Sequence, residues 1–94
     1  YQFEEAENWY QQALQLSDRM GNHAQMGIEF HHLGLVEQAR EFFVQDAEHW
    51  YMMALQQWEE TGDRRSEGDE CRQLGVLFHE QKELDKAEEW YIRA

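Results

Sequence analysis

The side chains here that most readily bind metals or act as bases and nucleophiles are five histidines and one cysteine: His23, His31, His32, His49, His79 and Cys71. Their spacing argues against both uses. His31 and His32 are adjacent, so on a helix they diverge by about 100° and cannot face one ion. No histidine lies three or four places from another, and Cys71 has no second cysteine to pair with. A metal site would have to form between helices, with His31 or His32 near His79; polar roles on the surface or in a groove are the preferred reading. For Cys71 the expectation is a buried structural thiol. The acids come as adjacent pairs, Glu4-Glu5, Glu59-Glu60 and Glu88-Glu89, which sit side by side rather than facing each other across a substrate. No nucleophile elbow, phosphate-binding glycine loop or metalloprotease motif occurs. The expectation is a non-enzymatic chain with neither metal nor cofactor.

What organises the chain is a phrase written three times: Ala6-Glu7-Asn8-Trp9-Tyr10-Gln11-Gln12-Ala13, Ala47 to Ala54, and Ala87 to Ala94. Ala, Glu, Trp, Tyr and Ala agree in every copy. Trp9 and Trp50 stand 41 residues apart, Trp50 and Trp90 stand 40 apart, and Gly21, Gly27, Leu33 and Gly34 recur 41 places on as Gly62, Gly68, Leu74 and Gly75. Self-similarity at such a period marks a stack of supersecondary units, each burying its apolar face on the next. At helical spacing inside a repeat, the Trp-Tyr pairs read as core rather than as a stacking platform for bases or sugars.

The elements that carry the phrase are helices. Proline is absent and glycine recurs only with the repeat. Residues 2–20 place Phe3, Ala6, Trp9, Tyr10, Ala13, Leu14 and Met20 on one stripe. Gly21 supplies a left-handed C-terminal stop, and Asn22 with Gln25 reads as a capping box for the next helix. Gly62-Asp63 with Ser66 repeats that punctuation. A second helix over about 23–41 turns Met26, Phe30, Leu33, Gly34 and Glu37 inward, with Leu35 and Val36 beside them. Glu37 is awkward there, because its counterpart one unit on is Phe78. Mid-helix Gly34 and Gly75 imply close approach by a neighbouring helix. A third helix covers roughly 44–60 (Ala47, Trp50, Tyr51, Ala54, Leu55, Trp58), and a fourth 64–81 (Cys71, Leu74, Gly75, Leu77, Phe78). A fifth begins near 84. One extra residue somewhere in 37–46 makes the turn there irregular. The expected organisation is one domain over 1–94: a lone helix (1–21), a helix pair (22–62) and a second pair (63–94). The chain begins and stops within a repeat, so it reads as a piece of a longer array.

The formal charge is −12, from 20 acidic and 8 basic residues. That density repels nucleic acid and anionic membrane surfaces, so neither is an expected partner. No apolar run approaches a membrane span and no signal-peptide core opens the chain. With a single cysteine, a reducing, cytoplasmic setting is the expectation.

At Leu33-Gly34 and Leu74-Gly75, with Phe30 or Cys71 three places before, Ala47 and Ala87 opening the next helix, Tyr51 and Tyr91 four places later, and Ala54-Leu55 following, the chain resembles the tetratricopeptide repeat family. The usual period is about 34 residues, and the surplus here is close to two helical turns. Long-repeat members of the kinesin light chain and of bacterial signalling proteins are similar. The sequence departs from the pattern at the turn inside each pair, where Glu41 and Lys82 stand in place of glycine.

The resemblance implies an all-α, right-handed solenoid with five helices in the order B-A-B-A-B. Its A helices would line a concave groove that binds a peptide segment of a partner protein. Groove-facing positions carried over are Ile28, His31, Leu35, Gln38 and Ala39 in one A helix, and Asp69, Arg72, Val76, His79 and Glu80 in the next. His32 and Gln73 hold the place where many members keep a backbone-binding Asn. The candidate contacts are therefore His31, His32, Leu35, Gln38, Arg72, Gln73, Val76 and His79. The basic carboxylate clamp of chaperone-binding members is not matched, so capture of a free C-terminus is not expected. The alternative is structural: self-association through the uncapped end helices, whose apolar stripes include Phe3, Trp9 and Tyr10 at one end and Leu84, Trp90 and Tyr91 at the other.

Overall fold

A computed structural model of the chain describes residues 2–40 and 44–94. The protein is all-helical, and among the described residues there is no strand. The helices are α1 (Gln2–Arg19), α2 (His23–Ala39), α3 (Val44–Thr61), α4 (Arg64–Glu80) and α5 (Leu84–Arg93). Each packs on the one before and the one after it. The Cα trace measures 38 × 35 × 14 Å.

The expected punctuation holds the ends. Gly21 and Gly62 stop α1 and α3 with φ of 65° and 73°. In both turns the next N–H reaches back five residues, Asn22 to the Ser17 carbonyl and Asp63 to that of Trp58. This closes the carbonyls that a helix end leaves unpaired. The same arrangement ends α4, where Lys82 takes the left-handed conformation at φ 61° and Glu83 N–H bonds the Phe78 carbonyl. Lys82 thus fills the glycine's role at the cost of crowding its own Cβ. Asn22 accepts from Gln25 N–H at 3.1 Å and Asp63 from Ser66 N–H at 3.0 Å. Only half of the expected capping box forms at Asn22, since the Gln25 side chain turns to Glu29 instead (3.0 Å). Part of the stretch 37–46 expected to hold an extra residue, 41–43, lies outside the described residues.

Two clusters form the core. Ala47, Tyr51 and Leu55 of α3 meet Cys71, Leu74 and Leu77 of α4, with Trp90 of α5 packed against them. Met26 and Phe30 of α2 meet Ala54 of α3, flanked by Leu14, Trp50 and Met53. Tyr51 is wholly buried, and its ring lies against Gly34 where a Cβ would stand. Tyr91 covers Gly75 in the same way, 2.7 Å from that position. The glycines are therefore contact surfaces for the phrase's tyrosines, which outweighs their helix penalty of roughly 0.5–1 kcal/mol.

Of the Trp-Tyr ridge only Tyr51 is wholly buried, while Trp50 and Trp90 are half-buried against the two clusters. Trp9 is 69% exposed, Tyr91 39%, and Phe3, Met20 and Leu84 are exposed as well. The reason is position: α1 and α5 have a helix on one side only, so half of each stripe has no partner. Tyr10 instead stacks on His32, rings 5.0 Å apart.

The units are also joined by buried polar groups that hydropathy did not reveal. Glu29 of α2 accepts from Ser17 Oγ of α1 at 2.8 Å; Glu70 of α4 accepts from Trp58 Nε1 of α3 at 3.0 Å. The second pair follows the first by 41 residues and does the same job. Hydrogen bonds to a carboxylate contribute about 1.5–3 kcal/mol each. Glu37 is different: it is 2% exposed and its Oε2 has no hydrogen-bond partner among the described residues. Arg40 Nη1 stands 3.6 Å from Glu37 Oε1 and 3.5 Å from Glu7 Oε2, clasping two carboxyls together. Burial pushes the Glu37 carboxyl up to about 7; proton-sharing with Glu7 and the Glu7 charge act the same way, as does Asp46, while Arg40 opposes them.

Candidate functional site

Side-chain contacts bring α2 and α4 together in the same direction. His31 Nδ1 lies 2.8 Å from Glu70 Oε2, and two to three turns further on Gln38 Nε2 donates to Glu80 Oε1 at 2.8 Å. Between their C-terminal halves runs a groove of about 750 Å³, lined by Leu35, Gln38, Ala39, Gln73, Val76, Leu77, Glu80 and Gln81. That volume lies within the range of ligand pockets, about 300–1,000 Å³.

A polar network fixes one wall. Tyr51 Oη, rising from α3 beneath the groove, donates to Gln38 Oε1. Gln73 Nε2 donates to the same oxygen at 3.0 Å and approaches Tyr51 Oη at 3.4 Å. Gln38 then passes its own N–H to Glu80. Burial drives the Tyr51 phenol well above its ordinary range, against the lowering effect of the Gln73 bond. The phenol therefore stays protonated and keeps its donor role, which orients both carboxamides. Gln73 lines the groove, and its Oε1 accepts no hydrogen bond among the described residues. Leu77 is fully buried as floor, while Leu35 is 39% exposed at the rim.

Of the eight residues singled out from the sequence, Leu35, Gln38, Gln73 and Val76 share this groove. The other four lie elsewhere. His31 is tied to Glu70 and borders a smaller cleft of about 160 Å³ with Ile28, Trp58 and Asp69. His32 is stacked on Tyr10. Arg72 is largely exposed and pairs with Asp69 at 3.3 Å along its own helix. His79 turns toward α5, beside Leu84, Ala87 and Tyr91. Ala39 and Glu80, carried over as groove positions but not among the eight, do line it. Tyr51's part in the network was missed because a tyrosine in the repeat phrase reads as core; the polar end of a buried phenol was the available signal.

Among the described residues no group of three or more His, Cys, Asp or Glu is placed to hold a metal ion. No described helix is long and apolar enough to cross a membrane. Cys71 is buried, and burial raises its thiol above the ordinary value. No protein-family model, curated protein or solved structure matches the chain.

Proposed function

We propose that the chain is a non-catalytic interaction module of the tetratricopeptide type: two helix pairs preceded by a lone helix, wound as a right-handed superhelix. In this reading it holds an extended peptide segment of a partner protein in the groove between α2 and α4. The observation that carries the reading is the groove itself, with an apolar floor and a carboxamide wall already fixed by Tyr51. A preformed wall spares a ligand much of the ordering cost of binding. The 14 Å short axis, two helix layers thick, and the parallel run of α2 and α4 also support it. The test is selection of a random displayed peptide library on the chain. Winning peptides should lose most of their affinity on Leu35→Ser and Val76→Ser without loss of helicity. Affinity indifferent to both substitutions refutes the groove.

A second reading, self-association through the end helices, draws on the exposure of Trp9 (69%), Leu16 (57%) and Ile92 (75%). Sedimentation over a range of concentrations separates the two: a dimer that strengthens with concentration and dissolves on Trp9→Ser supports end pairing, and a strict monomer refutes it.

A further inference from the structure

Resting on the groove reading above, we infer that the groove selects segments carrying a lysine or arginine, seated at its Gln38–Glu80 end beside an apolar side chain on Leu35 and Val76. Among the described residues Glu80 is the only charged one lining the groove. Its carboxylate receives a neutral amide N–H from Gln38 and, among the described residues, pairs with no cation. A carboxylate offers about four acceptor positions, so most of its capacity is open to a ligand.

The backbone reinforces the same sign. Gln38 and Ala39 end α2, and Glu80 ends α4, so two helix C-termini with their partial negative charge converge at this end of the groove. Three of the cations in or next to α2, α4 and α5 have carboxylate partners elsewhere. Arg40 Nη1 sits between Glu7 and Glu37 on the α1 side. Arg72 is held by Asp69. Lys86 pairs with Glu83, and Lys82 borders a separate hollow with Asp85. A net charge of −12 adds long-range attraction for a basic segment. Alongside the cation, Gln73 Oε1 can accept a backbone N–H, while the leucine and valine surfaces take the neighbouring side chain.

The experiment uses the whole chain and its Glu80→Gln variant, an exposed position where the carboxamide keeps the shape. A random displayed peptide library is selected on each. On the parent chain, winners should share a lysine or arginine next to an apolar residue; on the variant that preference should vanish. A winning peptide is then synthesised with its basic residue and with norleucine in its place. The basic form should bind the parent about tenfold more tightly, a gap that narrows with added salt and closes on Glu80→Gln. Winners that depend on Leu35 and Val76 but show no basic preference, or a gap unchanged by Glu80→Gln, overturn the cation site and leave the groove standing. Winners indifferent to Leu35 and Val76 remove the groove and the cation site together.

Discussion

Glu37→Gln isolates the cost of a buried charge from the shape of the side chain that carries it. Glu37 is 2% exposed, shares Arg40 with Glu7, and has its carboxyl pushed up from 4.5 to about 7. Between those two values the folded chain binds more protons at this site than the unfolded chain does. The contribution of the site to stability is therefore complete below pH 4.5, declines as pH rises through 7, and is level above that. Each tenfold change in acidity corresponds to about 1.4 kcal/mol, so the ionised form is disfavoured by on the order of 3 kcal/mol. Gln cannot ionise, and its amide can still donate to Glu7. At pH 4 the variant should match the parent within about 0.5 kcal/mol, and at pH 8.5 exceed it by about 3 kcal/mol. Urea unfolding followed by tryptophan fluorescence measures both chains at both pH values. Taking the difference between them cancels the general self-repulsion of an acidic chain. Equal stabilities at pH 8.5, or a variant weaker there than the parent, would refute the reasoning.

Four other substitutions test the packing. Lys82→Gly should stabilise the chain by about 0.5–1 kcal/mol, because φ 61° is free for glycine and strained for lysine, and a thermal melt should move up accordingly. Gly34→Ala should destabilise by about 1–2 kcal/mol net, as displacement of the buried Tyr51 ring exceeds the gain in helix propensity; the same change at Gly75 should cost less, since Tyr91 is half free to move. Trp58→Phe keeps an aromatic ring but leaves Glu70 Oε1 without its donor, and chemical denaturation should show a loss of about 1–3 kcal/mol.

Helix positions, both glycine stops and the close approach at Gly34 and Gly75 were legible because each follows from a local rule or from the period. Glu29 and Glu70 were not, although they recur with that same period. A glutamate on a helix reads as a solvated face until its partner is known, and those partners, Ser17 and Trp58, have nothing in common but a donor hydrogen. The exposure of Trp9 escaped for the opposite reason: its stripe is the same as that of Trp50, and only the missing neighbour distinguishes them. Within the candidate site, the resemblance to the repeat family pointed to Leu35, Gln38, Gln73 and Val76 as groove positions, and these four line the groove. It could not tell that His31, His32 and Arg72 would each find a partner outside it, or that His79 would stand beside α5. Rings and charges with several nearby neighbours are settled by distance, which sequence does not supply.

The two buried glutamates also guard against misassembly. Units so alike invite α4 to dock on α1 in place of α3, leaving out the pair between. In that mistaken arrangement Glu70 would meet the small Ser17 hydroxyl, while the Trp58 indole, shaped to lie on Gly27 and to give its N–H to Glu70, would be stranded. Near-identical apolar surfaces fix how tightly the helices stack; these mismatched donors fix which one stacks on which.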